Sequence, residues 1–183
     1  MNGIADAAGD IGVVPCWAGL RRCPNPECFG LAFEVTKPGG SVLILSYPPV
    51  RLELNTNDIP KEIVECIDEA LDCHANHNYI AAAIMVRRTL ELICENKGAT
   101  GKDLKERIRD LGTKIVIPKE LLAAMDDLRV LGNDAAHVEA KAFGKISEEE
   151  LLIAIEFAKE ILKGVYQYGG LLAKLQTLKK PTP

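Results

Sequence analysis

From about residue 59 onward, apolar residues return at intervals of three and four, and no other feature of the chain restricts its fold as strongly. That interval lines up apolar side chains along one stripe of a helix, and the stripe has to be buried against another element. The interruptions are short: "NHN" at 76–78, "NKGATG" at 96–101, "IVIP" at 115–118 and "FGKIS" at 143–147. They divide the region into five predicted helices at about 59–75, 78–96, 101–111, 118–138 and 147–178. In the last of these, Leu151, Ile155, Ala158, Leu162 and Val165 make a stripe suited to packing along another helix. Gly169 and Gly170 are where that helix is expected to bend or split.

Upstream of "NTNDIP" at 55–60 the pattern changes. Two short runs, "LAFEV" and "SVLILSYP", have strand character and flank the turn "KPGG", which predicts a β-hairpin with Gly39 and Gly40 in the turn. The expected organisation is therefore a Cys-containing hairpin segment over 1–54 and a helical domain over 55–183, mostly α overall.

Composition excludes several classes. The N-terminal "MNGIADAAGDIGVVPCWAGL" has no basic stretch followed by a long apolar one, and no apolar run approaches the roughly 20 residues of a membrane span. A cytoplasmic protein without membrane partners is expected. Six cysteines without an export signal read as reduced thiols or metal ligands rather than disulfides. Aromatic residues at 5% argue against a base-stacking surface. Net charge is −4, yet Lys97 to Lys119 holds seven Lys/Arg against three Asp/Glu, leaving 15 against 23 elsewhere. That segment is the one candidate polyanion-facing surface, although Lys105, Glu106, Arg109 and Asp110 also suit a solvated helix with neighbouring ion pairs.

Candidate chemistry lies in three places. "RRCPNPECFG" puts Cys23 and Cys28 around a Pro-containing turn, with Cys16 seven residues upstream. Three thiolates leave a four-ligand structural zinc site incomplete, so no cofactor is expected and zinc is the one that would fit if a ligand were supplied. Cys66, Cys73 and Cys94 read as small buried hydrophobes. In "AAAIMVRRTLELIC", Arg88 interrupts a stripe with Met85 and Leu92 and is expected to be partly buried, paired with Glu91 or with Asp134. Arg87 or Arg88 is alternatively a phosphate ligand. In "RVLGNDAAH", Asn133 and His137 at i and i+4 share a helix face, while Arg129 stands eight residues, about 12 Å, from His137. His137 is read either as a core histidine bonded to Asn133 or a carbonyl, or as a catalytic base. Gly132 beside Asn133 allows close helix packing or a bend.

The run "AAAIMVRRTLELICENKGATGKDLKERI", followed by "LRVLGNDAAHVE" and a long closing helix, resembles a bacterial domain-of-unknown-function family of the HEPN superfamily, over roughly residues 15–178. The resemblance rests on "RRTLE" and "GNDAAH" and implies an up-and-down helical bundle, commonly dimeric, often preceded by a zinc ribbon. Many members are metal-independent ribonucleases whose arginine holds the scissile phosphate and whose histidine helps activate the ribose 2′-hydroxyl. Here Gly132 falls where that arginine belongs, and Arg129 leaves seven residues before His137. The front segment also lacks the first Cys pair of a ribbon. The function expected is a non-catalytic, dimeric HEPN-like interaction module, a candidate to bind nucleic acid or a nucleotide in a defence or stress setting. The alternatives are a toxin-type ribonuclease using His137, Asn133 and a displaced Arg129, and a purely structural dimerisation domain.

Overall fold

The computed structural model describes residues 2–11, 14–40, 42–137 and 146–178. The chain divides into two compact units, residues 1–51 and 52–183, against an expected boundary at 54.

The first unit is a four-stranded antiparallel sheet in the order β1-β2-β3-β4, with β1 Asn2–Ile11, β2 Val14–Arg22, β3 Leu31–Thr36 and β4 Leu43–Tyr47. The β3–β4 hairpin is the predicted one: Phe33 faces Tyr47 and Val35 faces Leu45. Its turn is closed by the Lys37 N–H donating to the Val42 carbonyl at 2.9 Å, with Gly39 and Gly40 at φ 87° and 69°, where a side chain would be strained. The expectation of a lone hairpin is corrected by β1 and β2. β2 pairs with β3 over Trp17–Arg22, and β1 pairs with β2.

The second unit is a helical bundle. Its elements are α1 Lys61–Ala75, α2 Tyr79–Asn96, α3 Leu104–Lys114, α4 Lys119–Ala136, α5 Glu148–Leu162, a π-helical turn Lys163–Gln167, and α6 Tyr168–Thr177. Local chemistry sets the ends. Pro60 and Pro118 precede α1 and α4. The Asp103 carboxylate accepts the Glu106 N–H at 2.9 Å, and Ser147 with Glu150 forms a reciprocal capping box on α5. Gly98 at φ 66° closes α2. Helix α2 is central, packed by α1, α3, α4 and α5. The core includes Ile67, Leu71, Leu90, Ile93, Met125 and Ile155, all fully buried. Cys66 and Cys94 are buried in it and Cys73 packs against it.

The closing segment departs from expectation at one point. It breaks at the π turn, ahead of the glycines that were expected to bend it. The stripe of Leu151, Ile155, Ala158 and Leu162 is consumed inside the bundle, so it is no free face for another chain. Residue 138, the expected end of the fourth helix, lies outside the described residues.

Candidate functional site

Helix α4 stops at Ala136, and His137 follows it with extended backbone, φ −124° and ψ 123°, its N–H donating to the Asp134 carbonyl at 3.3 Å. Its side chain is exposed, as is that of Asn133. The core-histidine reading of His137 is thereby corrected, because the residue sits past the last turn of α4 and is exposed. No hydrogen bond joins Asn133 to His137 among the described residues. Asp134 is half-buried on the last turn.

The helix-to-helix strut falls one residue earlier than expected. Arg88 is exposed, and Arg87 is the half-buried arginine. On α2 the buried positions are Ala82, Ala83, Val86, Thr89, Leu90, Ile93 and Cys94, which turns residue 88 away from the core. The Arg87 guanidinium donates to the Arg129 carbonyl on α4 at 3.2 Å and pairs with Glu91 at 3.2 Å. Arg129 in turn donates to Asp126 at 2.7 Å. Gly132 lies beneath this strut: a Cβ there would come within 2.5 Å of the Arg87 Cβ and 2.9 Å of the Ala83 carbonyl oxygen. Close helix approach is the reason for the glycine, as its position beside Asn133 suggested. "GNDAAH" and "RRTLE" are therefore joined, through Gly132 packed on Arg87 and through the Arg87 guanidinium that ties α2 to α4.

Part of the basic segment is engaged in local contacts. Lys102 pairs with Glu106 and Lys114 with Asp110, each an i,i+4 contact, and the Lys97 ammonium stands 4.2 Å over the Tyr166 ring.

In the sheet unit, Cys23 and Cys28 form a small knuckle. The Cys23 N–H donates to the Gly30 carbonyl and the Cys28 N–H to the Asn25 carbonyl, both at 3.0 Å. The Gly30 N–H, followed by the Cys23 thiol, bonds the Cys28 sulfur and holds its pKa below the usual thiol value. Gly30 leaves room for that sulfur, since a Cβ would approach it to 3.2 Å. Cys16 is not part of the knuckle. It is buried near the other end of β2, and at about 3.3 Å per strand residue it stands roughly 20 Å from Cys23. The expected Cys16, Cys23 and Cys28 trio is thus a pair plus a distant thiol. Among the described residues no three His, Cys, Asp or Glu side chains are grouped to hold a metal ion.

A polar cluster that sequence reasoning passed over lies at the end of α1. His74 is the histidine whose two ring nitrogens are buried without a hydrogen-bond partner, and burial lowers its pKa. His77 adopts φ 59° as the residue just past the helix, while the Asn78 N–H returns to the Cys73 carbonyl at 2.8 Å, a closure glycine normally supplies. Its Nδ1 lies 2.8 Å from the Tyr79 hydroxyl, which also bonds Glu148. The Tyr79 pKa is raised, first by burial and then by Glu148, so the hydroxyl acts as a donor rather than a base. Two of three histidines within "CHANHNY" were the available signal.

An apolar concavity lies elsewhere. A groove of about 560 Å³ runs between α4 and α5. Ala124, Leu128, Leu131, Ile153, Ala154 and Phe157 are among its lining residues, and Glu120, Asp127 and Glu150 also line it. Among the described residues its wall is apolar and its charged lining acidic, a surface that repels phosphate and accepts apolar side chains.

The sequence profile of a family described as Domain of unknown function (DUF4145) matches residues 68–181, more than half of the chain, and the chain belongs to that family. No similar curated protein and no similar solved structure was found.

Proposed function

Within a family described only as a domain of unknown function, we propose that this chain is a non-catalytic, HEPN-like interaction module that works as a homodimer. One observation carries the reading. The arginines nearest the "GNDAAH" segment, Arg87 and Arg129, are engaged in contacts between and along helices, while His137 stands in solvent past the helix end. A ribonuclease of this type needs an arginine and a histidine on one phosphate. Within one chain, Arg129 and His137 are about 12 Å apart along the axis of α4. The acidic groove and the paired lysines of the 97–119 segment favour a protein partner over a nucleic acid or nucleotide.

The test is direct. Purified full-length protein incubated with RNA in EDTA is expected to leave it intact, and its affinity for RNA to be no greater than that of a neutral control protein. EDTA-resistant cleavage that leaves 2′,3′-cyclic phosphate ends and disappears in His137→Ala would refute the proposal in favour of the ribonuclease reading.

A further inference from the structure

We infer that the groove between α4 and α5 is filled by helix α6 of a second copy of this chain, and that each copy receives the other's α6 in exchange. The inference rests on the interaction-module reading and names its partner. Three features of the helical unit fit together.

The first is an unpartnered apolar helix. Leu171, Leu172 and Leu175 on α6 are 64%, 59% and 58% exposed, and no residue of α6 is buried. A ten-residue helix with three leucines in solvent exposes a patch that monomeric proteins rarely keep open. The bundle core is completed without it, since Leu151, Ile155 and Leu162 close the interior upstream.

The second is matched length. Ten residues of α6 span about 15 Å, and the groove residues Glu120 to Leu131 on α4 span roughly 16 Å. The α5 wall contributes Ile153 and Phe157, both well exposed in the single chain and available to meet incoming leucines. A helix laid into a groove between two helices is a common recognition mode.

The third is charge. Among the described residues, the ionisable ones lining the groove are Glu120, Asp127 and Glu150. After Glu160 the sequence has no Asp or Glu, and Lys174 lies within α6, while Lys163 upstream of it is paired with Glu160 at 3.4 Å. An acidic-rimmed groove and a basic, leucine-rich helix are complementary partners. Each copy carries both parts, so reciprocal exchange about a two-fold axis closes the assembly at two. Asn133 and His137 do not line the groove, so this interface differs from one that sets two "GNDAAH" segments face to face.

The experiment uses the full chain in light scattering coupled to size exclusion at micromolar concentration. The unmodified protein is expected to be a dimer. Leu175→Glu on α6 and Ile153→Glu in the groove alter exposed positions, so each should keep its helical circular dichroism while weakening dimerisation about a hundredfold. Lys174→Glu and Asp127→Lys should each weaken it about tenfold, because the dimer holds the contact twice. Mixed in equal amounts, these two charge variants should recover the dimer. In the mixed pair the charge-reversed helix meets the charge-reversed groove and the unchanged helix meets the unchanged groove, so both contacts are attractive.

A monomeric unmodified protein overturns the inference, as does a dimer that loses stability with Leu175→Glu but not with Ile153→Glu. Failure of the mixture to recover also overturns it. A monomer that leaves RNA intact removes the α6 exchange and the homodimer while the non-catalytic assignment stands. A dimer that passes the exchange test yet cleaves RNA does the reverse.

Discussion

Gly132→Ala is the change whose sign separates two physical effects. In an exposed helix interior, replacing glycine by alanine stabilises by roughly 1 kcal/mol, through backbone entropy and helix propensity. Gly132 is buried, however, and the new methyl group would come within 2.5 Å of the Arg87 Cβ, 2.9 Å of the Ala83 carbonyl oxygen and 3.2 Å of the Arg87 Cδ. Carbon contacts relax to about 3.5–4.0 Å, so α2 and α4 would have to separate by something near 1 Å. Neither near neighbour is the free end of a flexible side chain. Overpacking of that kind costs about 1–3 kcal/mol, and the separation also pulls the Arg87 guanidinium from the Arg129 carbonyl. The net expectation is a destabilisation of about 1–2 kcal/mol, or a fall in Tm of roughly 3–6 °C for a chain of this size. Thermal melting followed by helical circular dichroism measures it, with Gly169→Ala as the companion. That helical glycine has open space around its missing side chain, and alanine there should raise Tm by up to about 3 °C. A Gly132→Ala protein melting at or above the parent temperature would refute the close-approach argument.

Two further outcomes follow from titratable groups. Burial, the largest influence, depresses the His74 pKa below 6.5; Glu148 opposes that effect, while His77 and Lys159 add to it. The unfolded chain therefore takes up the proton first as pH falls, so the stability from neutral His74 is complete above 6.5 and declines below it. The urea midpoint should drop between about pH 7.5 and pH 5.5, and His74→Leu should reduce that drop; an unchanged slope in the variant counts against the assignment. Among the thiols, Cys28 is exposed with a lowered pKa, whereas burial raises Cys66 and pushes Cys94 to about 11. Iodoacetamide near neutral pH should modify Cys28 well before Cys94 in the native protein, and equal rates by mass spectrometry would contradict the burial reading.

How much of this was legible depended on whether local chemistry or tertiary contact decided each feature. The "KPGG" hairpin could be read because its turn requires residues with positive φ. Strand β1, "NGIADAAGDI", could not, since its Ala, Gly and Asp have poor strand preference and its pairing with β2 supplies the order. The helices followed from apolar period, but α3 begins three residues later than expected because Asp103 in "KDLKE" is its cap. Arg87 and Arg88 illustrate the limit of periodicity. Adjacent residues differ by about 100° on a helix, and Met85 with Leu92 gave the wrong phase, whereas Val86, Leu90 and Ile93 mark the buried one. His77 was hidden because "NHN" reads as punctuation, and His74 because it sits within the last turn of a helix whose apolar period does not mark it. Only the tertiary fold brings Glu148 to Tyr79.

The arginines of the candidate site can be weighed by asking what a phosphate would have to overcome. The Arg87–Glu91 and Arg129–Asp126 pairs are partly exposed, with side chains between 21% and 41% accessible. Such pairs are worth about 0–1 kcal/mol each, so an incoming dianion could displace the carboxylates at little cost. Ion pairing alone therefore does not make these residues inert. Position is the larger barrier. Arg87 is also anchored through the Arg129 carbonyl, and Arg129 lies about two helical turns from the end where His137 emerges. Bringing either guanidinium onto a phosphate held by His137 requires unwinding the end of α4 or borrowing an arginine from a second chain. Unwinding would break the close packing at Gly132, the feature that joins α2 to α4. The second chain is the less costly route, and an α6 exchange across the α4–α5 groove leaves Asn133 and His137 outside the interface it creates. The dimer that gives the leucines of α6 a partner therefore does not depend on His137, so self-association and RNA cleavage are separate questions answered by separate assays.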